Sequence, residues 1–200
     1  DNCSPDTLTE KIVLDYLKKD KRIRYYRQEI NKGSTFNFQF VLEQAVGEYF
    51  MWLADDDWLD PEYIEKCINF YNSTNSNYSL VGGKAILYDD NLRITEFGEV
   101  ITESSNNRLL RMIGYYQKVS MNGIYYSLMP IKYAREIECN HQLADDWLIM
   151  ARMLFLGKSQ IIQDINSHRL QGVSKNLKTL GNYFAIKHLN DKIFPFYIAK

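Results

Sequence analysis

The run Tyr49-Phe50-Met51-Trp52-Leu53-Ala54, opening directly onto Asp55-Asp56-Asp57, narrows the possible folds most. A nearly unbroken apolar run without polar alternation reads as a strand buried on both faces, which requires a sheet covered by helices on each side. Carboxylates at the C-terminal end of such a strand stand at the edge where open α/β sheets bind their ligands. Three adjacent negative charges repel one another, and a bound cation relieves that repulsion. Hard oxygen donors suit Mg²⁺ or Mn²⁺, with substrate phosphates completing the shell. Read alone, the triplet is equally a solvated acidic turn ahead of the helix that Asp60-Pro61 begins.

The flanking sequence supplies the other layers. Ser4-Pro5 predicts a helix start, followed by Leu8, Ile12, Val13, Tyr16 and Leu17 on one face. Arg22 to Tyr26 reads as a short strand. Asn31 to Ser34 turns into a second helix with Phe36, Phe40, Val41 and Ala45 inward and Gly47 as its stop. A third helix carries Ile64, Cys67, Ile68 and Tyr71. Strands are predicted at Leu80 to Leu87, Leu92 to Phe97, Ile124 to Leu128 and Lys158 to Gln163. Helices are predicted from Asn107 to Tyr116, after Pro130, and from Asp145-Asp146 to Gly157. A polar loop with Ser167, His168, Gly172 and Ser174 follows, then a last aromatic helix. This alternation predicts a three-layer α/β/α sandwich around a mainly parallel mixed sheet, in one domain over residues 1–200.

Charge and cysteine content exclude several classes. Lys plus Arg number 24 against 25 Asp plus Glu, a formal net charge of −1, so the basic surplus of a nucleic-acid binder is missing. Cys3, Cys67 and Cys139 are widely spaced and odd in number, which fits reduced thiols in a cytoplasmic protein better than a disulfide framework or a zinc site. The sequence contains no apolar run long enough to span a bilayer.

Several stretches together resemble glycosyltransferase family 2: Asn31-Lys32-Gly33, Asn37-Phe38, the run from Ala45 to Asp57, then Pro61 and Tyr63-Ile64. The opening Asp1-Asn2-Cys3-Ser4-Pro5-Asp6 is similar to that family's Asp-x-Ser-x-Asp element at the end of its second strand. The resemblance implies the GT-A fold of nucleotide-diphospho-sugar transferases. It also implies an inverting transfer from a nucleoside-diphosphate sugar, a UDP-sugar first among them, to a hydroxyl of a glycan or lipid-linked acceptor. Residues 1–90 would bind the nucleotide sugar, 91–175 would form the acceptor side, and 176–200 a C-terminal helical segment.

Site roles follow from the same resemblance. Asp1 would bind the nucleobase, Asp55 and Asp56 would lie near ribose or metal, and Asp57 would be the direct ligand of Mg²⁺ or Mn²⁺, with Asp55 and His168 as further metal candidates. Asp146, in Asp145-Asp146-Trp147 and six residues before Arg152, would be the base, with Asp145 as the alternative. Asp146 and Asp145 are also a plausible N-cap pair, and His168 an ordinary loop histidine. Arg169 and Lys175 could contact the diphosphate through charge.

The family's first strand and helix precede its Asp-x-Ser element, and their absence here implies an N-terminally incomplete domain. The Ala-Arg-Asn element usual after the glycine turn is replaced by residues around Asn37, Phe38 and Gln39, which leaves no arginine there. The aromatic and basic stretch from Asn182 to Lys200 could touch an anionic membrane from its cytoplasmic face, although packing across the sheet accounts for it better. Two other functions share parts of this pattern: a sugar-nucleotide nucleotidyltransferase, whose Gly-rich basic loop is missing here, and a non-catalytic nucleotide-sugar-binding remnant.

Overall fold

The computed structural model describes residues 1–141 and 144–171, and its chain divides into two compact units, Asp1–Gln44 and the part from Ala45 onward. The first unit carries helices α1 (Leu8–Lys19) and α2 (Ser34–Glu43). α1 starts later than Ser4-Pro5 suggests, because Asp6 Oδ1 accepts the N–H groups of Leu8 and Thr9 at 2.9 and 3.4 Å and so serves the first turn. None of its apolar residues is buried, and Leu42 is the one buried residue of α2, where Val41 is 41% exposed rather than inward. Arg22 to Tyr26 forms no strand. Asp1 N–H donates to Tyr26 O at 2.7 Å and Gln28 N–H to Asp1 O at 2.9 Å, a single contact of strand type.

The second unit is built around two long strands. β3 (Tyr78–Tyr88) and β6 (Lys158–Leu170) run parallel from Tyr78↔Lys158 to Tyr88↔Leu170. β4 (Ile94–Phe97) and the short β2 (Trp58–Leu59) add antiparallel at the two edges, giving the order β2-β6-β3-β4. β3 is buried along most of its length, as a strand covered on both faces must be. Helices α3 (Tyr63–Ser73) and α6 (Asp145–Leu156) pack on β3 and β6, and α4 (Arg108–Lys118) packs on α6. The α/β expectation with a mixed sheet holds, and its longest ladder is parallel.

Two strand expectations are corrected. Of Tyr49 to Ala54, only β1 (Tyr49–Phe50) pairs, with β5 (Met129–Pro130), which leads into the short helix α5 (Ile131–Ala134). Phe50 and Trp52 are buried at 8% and 3% exposure, and Tyr49 and Met51 pack half-buried against the cluster around Tyr63, while Leu53 is 45% exposed, so burial on both faces ends before the run does. Ile124 to Leu128 is mostly a 3-10 turn, Gly123–Tyr126, which Asn122 enters in the left-handed region at φ 51°. Asn122-Gly123 is a turn dipeptide, and it outweighs the β-propensity of the residues after it.

β6 runs seven residues past its predicted end, because Ser167 and His168 are strand residues and not loop. A bulge makes this possible: Gly83 pairs with Ile162, but Lys84 pairs with Asn166. A Cβ on Gly83 would stand 2.4 Å from Ile165 O and 2.8 Å from Tyr63 Cε2, so only glycine lets the bulge approach. Tyr63, 1% exposed, fixes the same point by accepting Gly83 N–H at 2.7 Å and donating to Tyr126 O at 3.0 Å. With Cys67, Val81, Leu128 and Ile165 it forms a buried cluster, whose environment pushes the Cys67 thiol up to about 12.

Candidate active site

The acidic triplet sits in a turn between β1 and β2, closed by a hydrogen bond from Asp57 N–H to Ala54 O at 3.3 Å. Asp55 and Asp56 are exposed, and Asp57 is half-buried. The Asp57 carboxylate is aimed by two donors from distant parts of the chain. Leu170 N–H, at the end of β6, reaches Oδ1 at 2.8 Å, and the Tyr126 hydroxyl donates to Oδ2. Burial, followed by the charges of Asp57 and Asp55, raises the Asp56 pKa above its ordinary value, and Arg169 opposes that rise only weakly. Three adjacent carboxylates, with Asp57 aimed by two donors, concentrate negative charge in this turn. That, together with hard oxygen donors, fits a divalent cation. Among the described residues no three acidic, histidine or cysteine side chains form a ready-made cage, so phosphate oxygens would have to complete the shell.

His168 lies across β2 from the triplet and pairs in register with Trp58. Its ring nitrogens are both engaged, Nε2 with Asp60 Oδ1 at 2.8 Å and Nδ1 with the Tyr88 hydroxyl at 2.8 Å. Trp58 lies parallel to the imidazole, with centroids 5.1 Å apart and 1° between the planes. Asn166 donates to Asp60 Oδ2 through N–H at 2.7 Å and Nδ2 at 2.9 Å. Burial alone would raise the Asp60 pKa, but the His168 and Asn166 hydrogen bonds outweigh it and hold the carboxyl below its usual value. His168 therefore pins β2 to β6, and it could coordinate a metal only by releasing Asp60 or Tyr88.

Asp146 occupies the first turn of α6, as the sequence suggests. Its Oδ2 accepts Asn122 Nδ2 at 2.9 Å, and Asn122 Oδ1 in turn accepts the Tyr115 hydroxyl at 3.0 Å. Burial raises its pKa, partly offset by Asn122, the Trp147 backbone N–H and Arg169. Asp145 faces elsewhere, with Oδ2 accepting Asn140 N–H at 2.7 Å. Arg152, whose spacing singled out Asp146, reaches Glu136 at 3.5 Å on an exposed face and does not join this group.

Arg169 connects the acidic turn with Asp146. Its guanidinium lies over the Tyr126 ring at 5.0 Å, and Nη1 donates to Met121 O and Asn122 O, each at 3.3 Å. Tyr126 donates to Asp57, and Asn122 donates to Asp146. One chain of contacts thus runs Asp57–Tyr126–Arg169–Asn122–Asp146. Charge alone suggested a ligand role for Arg169. Its place between the two carboxylates was not foreseen, and Tyr126, Asn122 and Asp60 were missed. The Asn122-Gly123 turn dipeptide was the available signal for Asn122. Nothing in the sequence marks which tyrosine of Tyr125-Tyr126 turns toward Asp57. Gly172, Ser174, Lys175 and the segment 176–200 lie outside the described residues.

In the first unit, the Asp1 side chain is 3% exposed. Ser4 N–H donates to its Oδ1 at 2.8 Å, while the Tyr25 hydroxyl at 2.9 Å and Arg27 Nη1 at 3.1 Å donate to Oδ2. The carboxylate is thereby oriented within its own unit.

A family model described as Glycosyl transferase family 2 matches residues 1–137, more than half of the chain. The chain belongs to that family. The match takes in Asp1, the acidic turn, Asn122 and Tyr126, while Asp146, His168 and Arg169 lie beyond its last matched residue. An uncharacterized glycosyltransferase of Rickettsia bellii is 30% identical over 135 residues, covering 65% of this chain and 18% of that protein. One from Rickettsia felis is 29% identical over 135 residues, covering 64% of this chain and 21% of that protein. The chain thus spans about a fifth of the length of the curated relatives it matches. Among solved structures, Staphylococcus aureus TarS 1–349 superposes with a TM-score of 0.60 at 16% identity, covering 85% of this chain and 49% of TarS 1–349. The same TarS segment in complex with UDP-GlcNAc gives a TM-score of 0.59 at 17% identity, covering 94% of this chain and 51% of that one. At such identities the likeness concerns the fold, which is the GT-A type expected from the sequence.

Proposed function

We propose that this chain is the catalytic core of an inverting, metal-dependent glycosyltransferase that moves a sugar from a nucleoside-diphosphate donor to a hydroxyl of a glycan or lipid-linked acceptor. The observation that carries this reading is the connected line from Asp57 through Tyr126, Arg169 and Asn122 to Asp146. It provides an acidic turn suited to a cation-bound diphosphate and, separately, a partly buried carboxylate suited to accepting a proton. Family membership supports glycosyl transfer, and the UDP-GlcNAc complex of TarS supports a UDP-sugar as the donor.

Each group then has a task. Asp57, held by Leu170 N–H and Tyr126, and the exposed Asp55 beside it are the proposed ligands of Mg²⁺ or Mn²⁺, and His168 could join them if Asp60 or Tyr88 released it. A cation bound there would neutralise charge developing on the departing diphosphate. Asp56 would lie near the ribose, and Asp1 would read the nucleobase. Arg169 places a fixed positive charge between the two carboxylate ends. The acceptor oxygen attacks the anomeric carbon on the face opposite the diphosphate, a new C–O bond forms as the old one breaks, and Asp146 takes the acceptor proton. The products are the inverted glycoside and the nucleoside diphosphate. A raised pKa suits this task, because a more basic carboxylate accepts a proton more readily.

Hydrolysis of a UDP-sugar by the purified chain, with and without Mn²⁺, tests the reading. Slow release of UDP that depends on Mn²⁺ and on Asp57 is expected. UDP release that is indifferent to both would overturn the metal-centred site.

A further inference from the structure

The loop that carries Asn122 is held by a carboxylate to which the proposed reaction gives no task. Asn122, 1% exposed, delivers Nδ2 to Asp146 at 2.9 Å and takes the Tyr115 hydroxyl on Oδ1 at 3.0 Å. It does so from the left-handed region, at φ 51° and ψ 49°, a conformation that asparagine tolerates at some cost. Contacts from outside the loop must therefore keep residues 120–123 in place.

Glu99 supplies them with both carboxylate oxygens. Oε2 accepts the Ser120 hydroxyl and Met121 N–H, each at 3.1 Å, and Oε1 accepts Gly123 N–H at 3.2 Å. Among the described residues its hydrogen-bond partners all come from this loop. Glu99 is itself fixed from the sheet, because it follows Gly98, whose N–H donates to Ala85 O of β3 at 2.8 Å. A Cβ on Gly98 would stand 2.8 Å from the Ala85 Cβ, and one on Gly123 would stand 3.3 Å from Glu99 O. Two glycines thus let the chain on either side of α4 come this close.

The Asn122–Gly123 peptide is gripped at both ends of its dipole. Its N–H donates to Glu99, and its carbonyl accepts Arg169 Nη1 at 3.3 Å. The described residues contain no cis peptide bond, and in a trans peptide these two groups point in opposite directions. A negative charge at the N–H and a positive charge at the carbonyl therefore favour one and the same orientation.

We propose that Glu99 is a positioning residue for glycosyl transfer: it fixes the Asn122–Gly123 peptide, and through it both the amide that orients Asp146 and the carbonyl that seats Arg169. The inference rests on the reading of Asp146 as the base. Glu99 acts at that end of the site only, since Asp57 keeps its own donors, Leu170 N–H and Tyr126.

Glu99→Gln tests it, because the amide keeps the size, loses the charge and turns an NH₂ toward N–H donors. kcat for transfer should fall about tenfold, the scale of a lost hydrogen bond to a charged group, while UDP affinity with Mn²⁺ changes less than about twofold. In the Asp146→Asn background the same change should alter the residual rate by less than about twofold, since no proton acceptor is left to position. Hydrogen exchange at Met121 and Gly123, read without substrate, should quicken at least about tenfold. Ser120→Ala removes one exposed donor and should lower kcat about threefold, and it carries the kinetic test should Glu99→Gln fail to fold. Parent kcat in the folded variant would overturn the proposal, even with faster exchange. So would unchanged exchange, or an equal tenfold loss in the Asp146→Asn background. A dead Asp146→Asn beside a fully active Glu99→Gln removes this inference alone, whereas a fully active Asp146→Asn removes the base assignment and this inference with it.

Discussion

The two carboxylate ends of the site are built in opposite ways. Asp57 lies in a polar turn and is aimed by a backbone N–H from β6 and a tyrosine hydroxyl. Asp146 lies in a desolvated position at the start of α6, where Asn122 is its side-chain donor and burial raises its pKa. A group that must hold a cation benefits from being ionised and fixed in direction. A group that must accept a proton benefits from being partly stripped of water. The contrast assigns different work to residues of the same type.

The largest effect expected from this contrast concerns turnover. Asp146→Asn keeps the shape and removes the proton acceptor, so transfer to a competent acceptor should fall by roughly 10²–10⁴. Asp145, whose carboxylate is bound to Asn140 N–H, should tolerate the same change with a much smaller loss. Initial rates for both variants check the assignment, and a dead Asp145→Asn beside an active Asp146→Asn would reverse it.

Next in size is ligand binding at the acidic turn. Asp57→Ala should weaken UDP binding in the presence of Mn²⁺ by roughly 10–100-fold, the range for losing a charged partner. Titration calorimetry reads this directly, and an affinity equal to the parent's would remove Asp57 from the cation site. Tyr126→Phe should cost less, about fivefold, because it deletes one hydrogen bond to Asp57 and leaves the Leu170 contact in place.

The smallest effect is on stability and runs against the loss of activity. The folded pKa of Asp146 is raised above 3.8, so its contribution to stability is complete below that value and is lost as pH rises through the folded value. Asn at this position has no charge to bury. Asp146→Asn should therefore melt higher than the parent near neutrality, with the gap closing toward acid pH. Thermal melts across that pH range check the sign, and a gap that widens toward acid would contradict the burial argument.

The fold and the site were legible to different depths. The burial of the apolar run before the triplet, though not its length as a strand, was readable, as were the helix at Asp145 and the β-rich segments around Leu80 and Lys158, because burial imposes a pattern on the sequence. The length of β6 was not readable, since Ser167 and His168 look like loop residues. Only the bulge at Gly83, a feature of pairing between strands far apart in sequence, keeps them in the ladder. Asp57 and Asp146 could be chosen because the acidic triplet and the Asp145-Asp146-Trp147 element resemble those of glycosyltransferase family 2. Tyr126, Asn122 and Asp60 could not, because their roles come from contacts 24 to 108 residues away in sequence. Periodicity does not report such distances.

The affinity of Asp146→Asn for UDP in the presence of Mn²⁺, measured beside the parent and Asp57→Ala, tests the division of labour most directly. Binding equal to the parent's, by a variant that no longer transfers sugar, is the expected result. A loss of UDP affinity as large as that of Asp57→Ala would mean that Asp146 serves the donor end, and that the two carboxylates do not have separate tasks.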